Sequence, residues 1–277
     1  MDWNLGSSIF RTDAVSDTCQ LRLMVAVKAY PSISTKYDEL VCCAGITEDH
    51  KWVRLYPVPY RDLPGQKQFQ KGDVIEVEVE RRAAHKDDRP ESWRPRLDTM
   101  RIVDHVEVDD NWRHRLEWIE PTVLKGFGEL LDKQQSENKS LGAFRPSSIL
   151  GVRVKREPAS WSGGQLAAIN QKDFFSDKEP LEKVPFRFQL GFKDECGADH
   201  WLSVIDWEFF QLWRRERDRF HDEAKAATQV QKKIEWIVSG DKDVIAFAGN
   251  LGNPAMRRSF MILGFCYPKI DPQRSLF

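Results

Sequence analysis

The run "DVIEVEVERR" alternates without a break, with Ile75, Val77 and Val79 set against Glu76, Glu78 and Glu80. Successive side chains of a strand point to opposite faces, so one row must enter a core and the other must face water. This pattern predicts a half-buried strand with the glutamates on its wet side. Short β-like runs precede it, at Leu21 to Tyr30, Glu39 to Ile46 and Lys51 to Tyr56. They are separated by Pro31, Ser32 and Ser34 and by the acidic turn Glu48, Asp49. Another strand is expected over Met100 to Val108, after the charged loop "AAHKDDRPESWRPR".

Helical spacing follows. Trp112, Leu116 and Ile119 fall at i, i+4 and i+7, as do Val123, Phe127 and Leu130 after Pro121, which suits a first helical turn. "QQSENKSLGAFRPSS" reads as a polar linker and Ile149 to Glu157 as a further strand. From Pro158 the pattern changes. "KVPFRFQLGFK" places Val184, Phe186, Phe188, Leu190 and Phe192 on one face, with "WLSVI" as its hairpin partner. Asp206 is a good N-cap for "WEFFQLWRRERDRF", and Ala227, Val230, Ile234 and Ile237 give a second amphipathic helix. Two apolar runs, "DVIAFAGN" and "SFMILGFCYP", read as central strands. The resulting fold class is α+β: a flexible arm over 1–20, a small β-barrel domain with a helical insertion over 21–157, and an α+β domain with a helical pair over 158–277.

Composition narrows the function class. With 41% hydrophobic and 31% charged residues in 277, the chain reads as an ordinary soluble globular protein. Its longest apolar runs, Leu23 to Val27 and Phe260 to Tyr267, are too short to cross a bilayer, so no membrane partner is expected. An acidic residue at Asp2 and the lack of an apolar stretch before Arg22 argue against a signal peptide. Five cysteines, an odd number with Cys42 and Cys43 adjacent, fit a reducing compartment, and the expected location is the cytoplasm. A net charge of −1 excludes a protein coated in positive charge but leaves room for a local basic patch. There is no phosphate-loop, dinucleotide, nucleophile-elbow or HExxH motif. Cys196 and His200 are four apart, yet no CxxC or HxxxH accompanies them, so neither a metal nor a cofactor is expected.

"KWVRLYPVPYRDLP" is the most informative stretch. On a strand, Trp52, Arg54 and Tyr56 share one face and Lys51, Val53 and Leu55 the other. Aromatic faces stack on unpaired bases at about 1–3 kcal/mol each, and a guanidinium between them can meet phosphate or stack on a base. Tyr60 and Arg61 extend this cluster, and "DDRPESWRPR" adds Arg89, Trp93, Arg94 and Arg96 on a proline-stiffened loop. Arg257 and Arg258 leave the "GNLGNPAMRRS" loop, which could approach a phosphate. Structural readings compete at each place: cross-strand packing with Arg54 paired to an acid such as Glu78, a solvated loop whose tryptophan plugs a barrel, a plain hairpin connection. "RRERDR", Arg214 to Arg219, interleaves Glu216 and Asp218, as a solvated salt-bridged face or a partner-binding ridge would.

The pattern "VCCAGI…WVRLYPVPYRDL…GDVIEVEV…RPESWRP", roughly Lys28 to Pro95, resembles uncharacterised bacterial proteins. More distantly it resembles the dual OB-fold-containing domains found near phage-defence and mobile-element genes. The resemblance implies an OB-like small β-barrel that binds nucleic acid as a sensor or accessory factor in defence. Leu21 to Val108 supplies the five or so short strands that such a barrel needs. The expected function is binding of single-stranded or distorted DNA or RNA, without chemistry of its own. One alternative is a metal-dependent nuclease or nucleotide-modifying enzyme using His200, Asp206 and Glu208. Another is an adaptor that binds the protein of a neighbouring gene through the arginine-rich helix.

Overall fold

The computed structural model describes residues 18–30, 41–81, 87–163 and 182–270. The expected arm over 1–20 lies outside them except for Thr18 to Gln20, which already belong to a strand. Strands β1 (Thr18–Lys28), β2 (Val41–Thr47), β3 (Trp52–Val58), β4 (Asp73–Arg81) and β5 (Ser92–Pro95) close into a barrel in the order β1-β2-β3-β5-β4 and back to β1. Closure depends on the length of β1. Its first half, Thr18 to Met24, pairs with β4, while Leu23 to Lys28 pairs with β2. A sixth strand, β6 (Arg101–His105), runs along the part of β4 that β5 leaves free.

Alternation sets the interior as the sequence requires. Leu23, Val25, Cys43, Val53, Leu55, Ile75, Val77 and Val79 fill the barrel, closed off by Phe69 and Met100. The glutamates of β4 face out, and the arginines of the following loop and strand come to meet them. Arg101 lies 3.1 Å from Glu76, Arg96 2.9 Å from Glu78 and Arg94 3.4 Å from Glu80.

The remaining strands are β7 (Val123–Leu124), β8 (Leu141–Phe144), β9 (Ser148–Arg156), β10 (Phe186–Lys193), β11 (Asp199–Val204), β12 (Ile245–Asn250) and β13 (Phe260–Cys266). Among the described residues they form one sheet, ordered β7-β8-β12-β13-β11-β10-β9. Helix α1 (Asp109–Ile119) follows the barrel and α2 (Phe127–Glu137) leads to β8. The pair α3 (Trp207–Phe220) and α4 (Glu223–Ile237) lies between β11 and β12 in the chain. As its capping chemistry predicts, Asp206 accepts the Glu208 amide at the start of α3. Phe186, Phe188, Leu190 and Phe192 point inward and pack with Phe210, Trp213, Val230 and Ile234 of the helix pair.

Two expectations change. The stretch read as a polar linker contains the C-terminal part of α2 and the whole of β8, a fully buried strand paired with β12. Strand β9, expected with the barrel, pairs instead with β10 in the second sheet. That sheet therefore begins near Val123, not after Glu157, because β7 and β8 complete its far edge. No helix among the described residues is long and apolar enough to cross a membrane.

The barrel lies on the other face of the second sheet. Met24, Ala44, Ile46 and Trp52 on its outside join Leu116, Leu141, Phe247 and Leu263 in a shared apolar layer. Trp207, from the second half, enters the core cluster of the barrel beside Tyr60, at 5.9 Å between ring centroids.

Candidate functional site

Alternation does place Trp52, Arg54 and Tyr56 on the outer face of the barrel, but the second sheet covers that face. Trp52 is 7% exposed and packs edge-on against Phe247 at 5.5 Å. Arg54 is 3% exposed and donates to the Ser140 carbonyl at 2.9 Å, the Ser140 hydroxyl at 3.1 Å and the Cys42 sulfur at 3.0 Å. It reaches Ser140 and not Glu78, which Arg96 occupies. A base needs an open ring face to stack, so neither side chain can take the stacking or phosphate role expected of it. Tyr56 is half-buried, and Tyr60 is buried with its hydroxyl given to the Phe69 carbonyl at 2.6 Å.

The loop arginines divide. Arg89 is buried against Asp87 at 2.7 Å and donates to the Asn250 carbonyl at 3.0 Å, so it fastens the barrel to the second sheet. Arg257 is buried between Asp88 and Asn138, also across that junction. Arg61 is half-buried and Arg258 exposed. Arg94 and Arg96 are exposed but paired to the glutamate face, and Trp93 lies under Arg81, whose guanidinium is 3.7 Å from the indole centroid. The predicted clusters therefore do not converge on one open surface.

A different set of rings and cations comes together at the junction of the two halves. Between barrel, α1 and the α3–α4 pair lies a cavity of about 680 Å³. Clefts of this size at domain junctions are the usual places for ligands. Its barrel side carries Met24, Val25, Ala26 and Lys71, the last followed in the chain by Gly72. Gly72 has φ +95°, and a Cβ there would lie 2.8 Å from the Val106 carbonyl oxygen, so the turn needs glycine on both counts. Arg115 donates to the Val106 carbonyl at 2.7 Å and the Lys71 carbonyl at 3.1 Å. The Lys71 ammonium crosses to the second half, 2.5 Å from Asp206 and 3.3 Å from Glu208. Burial alone would lower its pKa, but the two carboxylates outweigh burial and hold it above the ordinary lysine value. Arg215 and Lys233 also line the cavity, so four cations stand against the carboxylates of Asp206 and Glu208.

Two rings of this lining, Trp112 and Tyr267, continue into a third, Trp236, which lies outside it. Trp112 lies 4.9 Å from Tyr267, and Tyr267 lies edge-on to Trp236 at 5.8 Å. Trp236 is 50% exposed, with the Lys233 ammonium 3.9 Å and the Lys242 ammonium 4.2 Å from its ring centroid. These contacts are cation–π attractions. Burial, and then repulsion from Lys242, lowers the Lys233 pKa. Arg113, Lys242 and Lys269 line a second cavity of about 860 Å³.

Trp112 is held in place at a conformational cost. Asp110, Asn111 and Trp112 have φ of 43°, 53° and 69°, so the first turn of α1 is left-handed. Each such residue without a glycine costs about 1–2 kcal/mol. Asn111 offsets part of this by a reciprocal pair with the Lys269 backbone, donating at 2.9 Å and accepting at 2.7 Å. Strain of this kind collects where a side chain must be aimed. Here it aims Trp112 at Tyr267.

Sequence reasoning missed this site because its parts are spread from Lys71 to Tyr267. One mark was available: Trp236 lies beside, not on, the apolar stripe Val230, Ile234, Ile237 of α4, leaving a large ring on a polar helix face. The alternative catalytic set does not assemble. His200, at the start of β11, is bound to Asp194 at 2.8 Å, whereas Asp206 lies beyond the other end of that strand and is held by Lys71. Among the described residues no group of three or more His, Cys, Asp or Glu side chains is placed to hold a metal.

Comparison with known families divides the chain where the second sheet begins. Residues 19–121 match the family described as Domain of unknown function (DUF8758), and residues 125–277 match Domain of unknown function (DUF8757). No curated protein matches the chain.

Proposed function

The chain belongs to the DUF8757 family, whose match covers more than half of it, and we propose that it binds single-stranded or distorted DNA or RNA on the ladder Trp112–Tyr267–Trp236. The observation that carries this reading is Trp236, a half-exposed indole whose ring is covered by side-chain ammonium groups, Lys233 at 3.9 Å and Lys242 at 4.2 Å from its centroid, so that a base stacks there by displacing the Lys233 ammonium toward its own phosphate. Stacking on an exposed ring is tolerant of sequence and worth about 1–3 kcal/mol per base, and adjacent cations track the phosphates. Lys233, 3.9 Å from the Trp236 centroid and 5.8 Å from that of Tyr267, supplies one such cation, and the exposed Arg113 and Lys269, close to Trp112 and Tyr267 in the chain, supply others. A closed five-stranded barrel in the order β1-β2-β3-β5-β4 supports an OB-type assignment for the first half. Such barrels bind oligonucleotides on the β2–β3 face, which in this protein is occupied by the second sheet. The binding seat is accordingly placed at the junction of the halves. A role as sensor or accessory factor in phage defence is proposed from the resemblance of Lys28 to Pro95.

Titration of a labelled single-stranded oligonucleotide across a salt series tests the reading. Affinity falls with rising salt, and Lys233→Ala weakens it and flattens the salt slope by about one phosphate contact. An affinity and slope unchanged in Lys233→Ala and Trp236→Ala, with both proteins folded, would reject the site.

A further inference from the structure

The cavity behind the ladder shares Lys233 with it and has further chemistry, Arg215 and an apolar floor, that strand binding on the ladder does not use. Its floor is apolar, built from Met24 and Ala26 of the barrel, Ile119 of α1 and Phe247 and Phe265 of the second sheet. Its charged groups come from the barrel at Lys71, from α1 at Arg115 and from the helix pair and its cap. The Lys71–Asp206 pair is buried there, Glu208 presents a largely exposed carboxylate, and Arg215 and Lys233 stand on α3 and α4. A wholly apolar ligand would leave these charges desolvated and unmatched, which is costly. A bare inorganic anion would leave the apolar floor unfilled. About 680 Å³ suits a planar ring system with a charged substituent.

We propose that this cavity holds one nucleotide unit, its base over the apolar floor and its phosphate against Arg215 and Lys233. The proposal rests on the nucleic-acid reading above and names what that site admits. The same chemistry has two sources, the 5′-phosphorylated terminal residue of a strand and a free nucleotide.

Calorimetric titrations with adenosine 5′-monophosphate, adenosine and inorganic phosphate, and with oligonucleotides bearing a 5′-phosphate or a 5′-hydroxyl, test it. The proteins are the wild type, Arg215→Ala and Val108→Trp. Val108 lines the cavity and is 45% exposed, so a larger side chain there obstructs the cavity without entering the core. The monophosphate is expected to bind one per chain, with adenosine and phosphate each weaker by about tenfold or more. Arg215→Ala removes the advantage of the phosphate, and Val108→Trp abolishes monophosphate binding while leaving the 5′-hydroxyl oligonucleotide bound to the ladder. If strand ends are the source, the 5′-phosphate strengthens oligonucleotide binding and Val108→Trp erases the difference; if free nucleotides are, strand ends make no difference. Oligonucleotide binding without monophosphate binding and without any effect of a 5′-phosphate overturns the cavity proposal and leaves the ladder standing. Loss of all oligonucleotide binding in the wild type overturns the ladder, and monophosphate binding then decides the cavity separately.

Discussion

Two clusters in this protein contain the same kinds of side chain. On β3, Trp52 and Arg54 lie under the second sheet, one indole edge-on to Phe247 and one guanidinium fixed to Ser140. At the junction cleft, half-exposed Trp236 lies against half-buried Lys233 and edge-on to Tyr267. The first cluster joins two halves of a molecule; the second leaves half of the Trp236 surface uncovered. Residue type therefore does not decide whether a ring beside a cation is glue or a landing place. What covers it decides.

The largest effect expected from this contrast is on stability. Trp52→Ala removes a buried ring from the apolar layer between barrel and sheet and is expected to cost about 3–5 kcal/mol in urea unfolding. Because the Trp52 ring nitrogen has no hydrogen-bond partner among the described residues, Trp52→Phe should cost much less. An unchanged unfolding midpoint for Trp52→Ala would mean that the layer does not hold the halves together. The mirror experiment is Trp236→Ala. It should lower stability by no more than about 1–2 kcal/mol, the worth of its two cation–π contacts, while weakening oligonucleotide binding by about 1–3 kcal/mol.

A finer test uses pH. Lys233 has a lowered pKa in the free protein, and a bound phosphate would raise it, so binding is linked to proton uptake. Affinity should be level below the lowered value and fall as pH rises through it, earlier than an ordinary lysine would allow. Lys233→Arg, which stays charged, should remove that fall. The same dependence in both proteins would exclude Lys233 as its source. The smallest effect is expected on the glutamate face of the barrel. Replacing Arg94 and Arg96 together by alanine breaks two exposed ion pairs and should change stability by less than about 1 kcal/mol, with no change in affinity.

Local structure was legible in the sequence wherever periodicity and capping act within one element. The Glu76, Glu78, Glu80 face, the inward phenylalanines of β10 and the Asp206 cap all lie where alternation and side-chain chemistry put them. Strand β8 was not legible, because four residues including Gly142 and Ala143 carry too little hydrophobic pattern to stand out from polar flanks. The site was not legible for a different reason. Trp52, Arg54 and Tyr56 do share the outer face of a strand, as alternation requires, but no local pattern states which outer faces a second sheet will cover. Trp112, Trp236 and Tyr267 come from α1, α4 and the end of β13, and only the packing of the two halves brings them into contact.

Oxidative footprinting of the tryptophans, with and without a saturating single-stranded oligonucleotide, tests which cluster is open most directly. Trp236 should be modified readily in the free protein and protected when the oligonucleotide binds, while Trp52 stays unreactive in both states. A reactive Trp52 that the oligonucleotide protects, with Trp236 indifferent to it, would return the binding face to the barrel and contradict the account.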